Sequence, residues 1–122
     1  MVGAVAAIGI GGTSAATARD LLALIAREIG EPPPGAVLAT IDRRKRLACD
    51  VARELGLDVV YFDAATLARV PQTTIASPRA LASVGTSSVA EAAALAAVGT
   101  GSRLVVTRRT GRACTCALAV RA

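Results

Sequence analysis

Two stretches of the chain combine residue types and spacing that could do chemistry on an anion. The first is Gly9-Ile-Gly-Gly-Thr-Ser14, at the end of a short apolar run. Gly9, Gly11 and Gly12 let backbone approach a ligand. Thr13 and Ser14 offer hydroxyls at a helix start, where free N–H groups and the positive end of the helix dipole attract negative charge. The spacing is a partial dinucleotide fingerprint: the third glycine of G-x-G-x-x-G would fall at Ser14, and no Walker lysine follows. Three readings stay open on these residues: a dinucleotide site, a site for another anion, and a tight β–α turn without a ligand. Asp42 closes a second apolar run where an acid could meet a ribose, but Arg43, Arg44 and Lys45 follow at once.

The second stretch is Gly85-Thr-Ser-Ser-Val-Ala-Glu91. Ser87 or Ser88 can cap a helix, and Glu91 stands at capping-box distance. Spacing alone allows two readings: a helix start and nothing more, or a second set of donors (Thr86, Ser87, Ser88) lining the same crevice as the first stretch.

Other chemistry is excluded by residue type. The chain has no His, so within it there is no Ser-His-Asp triad, Cys-His pair or His-ligated metal. Cys49, Cys114 and Cys116 are an odd set without a disulfide or metal spacing and read as small apolar filler. No metal site and no cofactor are expected, and no residue is assigned a catalytic role. The basic and acidic side chains of residues 1–100 balance, so the whole +5 excess falls on Arg103, Arg108, Arg109, Arg112 and Arg121. That local excess predicts an acidic partner. With one Tyr, one Phe and no Trp, a stacking platform for bases is missing, so nucleic acid is not expected. No apolar run reaches membrane-spanning length and no basic region precedes Val2–Gly12, so a cytoplasmic protein without a membrane partner is expected.

The elements that must position these residues follow from hydrophobic periodicity and its punctuation. At 122 residues and 53% hydrophobic, residues 1–122 form one domain. Val2–Ile10 reads as a buried strand with a glycine turn. Thr13 or Ser14 caps a helix running to about Ile29, stopped by Gly30. Residues 36–41 form a second strand, after which Asp42 caps a helix over 43–55 closed by Gly56. A third strand covers 58–62 and a short helix 64–70. Residues 71–78 are a loop, 79–84 a helical turn, and 87–98 an alanine-rich helix. Two strands, 103–108 and 112–121, close a hairpin with its tip at Thr110-Gly111. Alternating strands and helices predict an α/β fold: a three-layer α/β/α domain with a mostly parallel sheet and a C-terminal antiparallel hairpin. The helix starts near Ser14 and Ser88 would face one crevice at the carboxyl ends of the strands.

Ser88-Val-Ala-Glu-Ala-Ala-Ala-Leu95, preceded by Val84-Gly-Thr86, resembles the signature of the CobE domain, which also forms the C-terminal part of CbiG proteins in cobalamin biosynthesis. Gly9–Ser14, Leu38–Asp42 with Lys45, and Leu104–Arg109 with Ala113–Ala119 resemble the family's other stretches in order and spacing. The family's first turn is longer and carries a Cys and basic residues; here it is reduced to Gly11-Gly12 without a base. The resemblance implies an anionic corrin or precorrin intermediate as partner, with other enzymes of the cobalamin pathway as sources or recipients of it. It also implies a ligand-binding set of Gly9, Gly11, Gly12, Thr13, Ser14, Thr40, Asp42, Lys45, Gly85, Thr86, Ser87, Ser88, Glu91, Arg108 and Arg109. The longer CbiG proteins open a ring lactone of a cobalt-precorrin, so a component of a cobalt-precorrin-5A hydrolase is the first alternative. A small nucleotide- or phosphate-binding α/β module is the second.

Overall fold

The computed structural model describes residues 3–70 and 89–121. In chain order these form β1 (Ala6–Gly12), α1 (Ala18–Glu28), β2 (Ala36–Ile41), a 3-10 turn (Asp42–Arg44), α2 (Lys45–Leu55), β3 (Val59–Phe62), α3 (Ala64–Ala68), α4 (Val89–Val98), β4 (Ser102–Thr110) and β5 (Cys114–Arg121). The expected loop over 71–78, the turn over 79–84 and the start of the alanine-rich helix fall outside the described residues.

The five strands make one sheet in the order β3-β2-β1-β5-β4. β1, β2 and β3 are parallel neighbours, and the closing pair is antiparallel, with β5 also antiparallel to β1. α1 and α2 cover one face, while α4 lies across β1, β5 and β2 on the other. This is the three-layer α/β/α arrangement expected from the alternation of strands and helices.

The two faces differ in grain, and the strand sequences say why. Side chains alternate across a strand, and here large and small residues alternate with them. Ile8, Ile10, Leu38, Cys116 and Leu118 point to the α1–α2 side and pack with Leu21, Leu24, Ile25 and Val51. Ala7, Ala39 and Ala119 point to the α4 side. A Cβ added at Gly9 would lie 1.8 Å from the Ala90 carbonyl oxygen. The α4 backbone therefore rests directly on β1. The helix can approach so closely because its own buried residues, Ala90, Ala92, Ala93 and Ala94, are small.

Several local expectations shift. The glycines do not form a tight turn after β1: Gly11 pairs with Thr115 and Gly12 with Cys114, so the strand runs on to Gly12. α1 consequently starts at Ala18 rather than near Ser14. Its cap is Thr17, whose hydroxyl accepts from the Asp20 N–H at 3.1 Å, while Thr13 Oγ1 accepts from the Ala15 N–H at 3.2 Å. Asp42 does not cap α2; it opens the 3-10 turn, and no side chain caps either element. Gly56 closes α2 in the left-handed region at φ +71. The hairpin tip falls at Arg112-Ala113, two residues beyond Thr110-Gly111, because the Gly111 N–H donates to the Cys114 carbonyl at 2.8 Å. β5 accordingly begins at Cys114.

Candidate functional site

Among the described residues, Gly11–Ser14, Asp42, Lys45 and Arg108 lie toward the carboxyl end of the parallel strands, which β1 reaches at Gly12. Three elements meet there. The hairpin tip pairs with it through Cys114. The 3-10 turn is tied to it by Arg44, whose Nε donates to the Gly12 carbonyl at 2.9 Å. The first turn of α4 lies beside it, with Val89 Cβ 3.5 Å from where a Gly11 Cβ would stand. Ends of parallel strands are where open α/β sheets leave room for ligands.

The start of α1 and the first described turn of α4 share this end, on opposite sides of the sheet. A Gly12 Cβ would lie 2.8 Å from Ala16, ahead of α1, whereas Gly11 touches Val89 of α4. Consecutive strand residues face opposite sides of the sheet. The end of β1 therefore stands between the α1 start and that turn of α4. Gly85, Thr86, Ser87 and Ser88 lie outside the described residues.

The rim of this end is cationic. Arg43, Lys45 and Arg46 are exposed around the start of α2, with Asp42 the exposed acid among them; Arg112 is exposed at the hairpin tip and Arg108 on β4. Thr13 and Ser14 are exposed between these groups. The Lys45 ammonium sits 4.6 Å from the centre of the Tyr61 ring, a cation–π contact that steadies it.

Four expected residues have structural work here. Gly9 is sealed beneath α4, so its missing side chain serves helix packing rather than approach of an anion. Thr40 is fully buried, and its hydroxyl donates to the Ile10 carbonyl at 2.9 Å. The pairing of β1 with β2 runs to Gly9–Ala39; beyond it the Thr40 hydroxyl links the two strands. Arg109 is turned onto α1: its Nε lies 3.2 Å from Glu28 Oε1, and Nη1 donates to Thr107 Oγ1 at 2.8 Å. Glu28 is shared between Arg109 and Arg27, whose Nε lies 2.8 Å from Oε2. Glu91 is 7% exposed, and its Oε2 accepts from the Arg108 backbone N–H at 2.9 Å.

Arg44 stands outside the set that the resemblance implies, and Arg112 enters only through the C-terminal basic excess that predicts an acidic partner. The signal for Arg44 was its place in the basic run 43–46. Cys114 and Cys116 are buried and unreactive in character, whereas Cys49 is partly accessible. Burial pushes Cys116 up to about 11, with Glu28's negative charge adding to it, and burial also raises Cys114. Among the described residues, no group of three or more His, Cys, Asp or Glu could hold a metal ion, and no helix is long and apolar enough to cross a membrane.

The sequence matches the family described as Cobalamin synthesis G C-terminus over residues 6–119. The chain belongs to that family. Its fold matches the crystal structure of CobE, a protein from the cobalamin (vitamin B12) biosynthetic pathway, with a TM-score of 0.72 and 32% identity, covering 96% of this chain and 90% of that one. It also matches cobalamin biosynthesis protein chiG from Agrobacterium tumefaciens, with a TM-score of 0.71 and 29% identity, covering 97% of this chain and 99% of that one. No curated protein sequence matches. The Gly9–Ser14 and Glu91 stretches therefore belong to a cobalamin-biosynthesis domain.

Proposed function

We propose that this domain binds an anionic corrin or precorrin intermediate at the carboxyl end of its sheet and passes it along the cobalamin pathway. The observation that carries the reading is the meeting of two basic segments, residues 43–46 and the β4–β5 hairpin, at the end of β1, in a chain of this family. Corrin precursors carry several acetate and propionate arms around a planar ring. Arginine guanidiniums match carboxylates with forked donors, and several spaced around one rim match several arms at once. Exposed Thr13 and Ser14 add neutral donors between them. Glu91 Oε2 is engaged by the Arg108 N–H, and Asp42 is exposed on the rim, so a binding role accounts for the site without assigning either carboxylate to proton transfer.

Titrating hydrogenobyrinic acid, a metal-free corrin, into the protein at low and moderate salt tests this. Saturable binding that weakens with salt is expected. Absence of saturable binding, or an affinity indifferent to salt, overturns the proposal.

A further inference from the structure

We propose that Glu91 is a positioning residue: its carboxylate, carried on α4, holds a bulge of β4 and so sets where the Arg108 side chain stands on the basic rim. For its functional consequence, the inference rests on the corrin-binding reading above.

The pairing of β4 with β5 loses register twice, between Leu104 and Val106 and again between Val106 and Arg109. Such bulges leave residues unpaired and bend the strand, re-aiming a side chain. In a flat strand the Arg108 N–H would lie in the plane of the sheet. Here it donates to Glu91 Oε2 at 2.9 Å, on a helix that covers the sheet's face. It has therefore turned out of the plane at the second bulge.

The acceptor is fixed. α4 rests its backbone on β1, since a Cβ at Gly9 would meet the Ala90 carbonyl and one at Gly3 would lie 2.2 Å from the Val98 carbonyl oxygen. The helix is thus held against β1 near Ala90 and against the segment leading into β1 near Val98, so Glu91, next to Ala90, is fixed relative to the sheet. A carboxylate is a stronger acceptor than a carbonyl. Burying one costs desolvation energy, so an acid is a poor choice as filler in an alanine-rich layer. One use is directional: its Oε2 anchors an edge-strand backbone at the point from which Arg108 projects.

Three variants test this, Glu91→Met, Glu91→Gln and Arg108→Gln. Met fills the space without a comparable acceptor, while Gln keeps a carbonyl acceptor at the same reach. Exchange of the Arg108 amide proton should quicken about tenfold in E91M, as for loss of one charge-assisted hydrogen bond, and stay slow in E91Q. Hydrogenobyrinic acid affinity should fall about threefold to fivefold in E91M and in R108Q, with E91Q near wild type. The E91M/R108Q double variant should bind no more weakly than R108Q, because Glu91 acts through Arg108. Unchanged Arg108 exchange in E91M, or fully additive affinity losses, overturns the proposal. If the wild-type protein binds no corrin, the binding reading falls on its own, and amide exchange still decides whether Glu91 holds the bulge.

Discussion

Replacing Gly9 by Ala should be among the most damaging single-methyl additions this domain can receive. The new Cβ would stand 1.8 Å from the Ala90 carbonyl oxygen, 2.8 Å from its carbon and 2.9 Å from the Ala94 nitrogen. Real Cβ contacts almost never fall below 3.0 Å. α4 must therefore retreat by more than an ångström, and since every obstructing atom is backbone, no rotamer change relieves the clash. Overpacking a core costs ~1–3 kcal/mol, occasionally more. Retreat also loosens the buried run Ala90–Leu95 along the whole helix, so a loss of about 3 kcal/mol is expected, a large share of a typical domain's stability. With a urea slope of about 1–3 kcal/mol per molar, the midpoint should fall by roughly 1–3 M at unchanged slope. Gly111→Ala is the control. The nearest atoms to its Cβ all belong to the Leu24 side chain, at 3.1–3.3 Å, a shift of a few tenths of an ångström, so a cost of about 1 kcal/mol, well below that of Gly9→Ala, is expected. A Gly9→Ala protein with a wild-type urea midpoint would refute the claim that α4 rests on β1.

Other expectations follow from single contacts. Thr40→Val keeps the shape but leaves the buried Ile10 carbonyl without its hydroxyl donor, and should cost ~1–3 kcal/mol in urea unfolding. Cys49 should react first with a thiol reagent in the native protein at pH 7–8. Cys114 and Cys116, buried and held protonated by desolvation, should react only on unfolding. Because the folded pKa of Cys116 is raised from 9.0 to about 11, its stabilising contribution is complete below pH 9 and is lost as pH rises through 11. A Cys116→Ser protein should lack that component of the alkaline stability profile. Asp63 caps α3, and its hydrogen bonds with Thr66 lower its pKa below 3.8. Its capping is complete above that value and lost as pH falls through the lowered one. An NMR titration should place its midpoint under 3.8, and a midpoint at or above it would contradict the cap.

The parts of the fold that could be read from the sequence are those punctuated locally. Gly30 and Gly56 stop helices wherever those helices pack, and the apolar run 36–41 is bounded on both sides by polar or turn residues. Residues whose roles depend on distant neighbours were harder. Gly9 looked like part of a ligand turn because its reason, the Ala90 carbonyl, lies about eighty residues away in the chain. Gly11 and Gly12 extend β1 because Thr115 and Cys114 are there to pair with them. Glu91 has the spacing of a capping box with Ser87 or Ser88, which lie outside the described residues; its contact with the Arg108 N–H on β4, beside a bulge, could not be read from spacing. One clue was present in the chain from the start. Ala7-Ile8-Gly9-Ile10 alternates small with large at period two, which encodes one sheet face for a closely seated helix and another for bulky side chains. For the candidate site, the basic character and its place at the carboxyl end were readable, whereas the pairing of Arg109 with Glu28 was not, since it joins separate elements.

The central claim is that the rim joining residues 11–14, 42–46 and 108–113 binds the corrin. It is tested most directly by following backbone amide signals while hydrogenobyrinic acid is titrated in. The account predicts that the amides of Gly11–Ser14, Asp42–Arg46 and Arg108–Ala113 shift together along one saturation curve, with Arg108→Gln and Arg112→Gln each weakening that curve by up to ~1 kcal/mol. Shifts centred instead on the groove between α1 and α2, around Leu22, Asp50 and Glu54, or no saturable shifts at all, would contradict it.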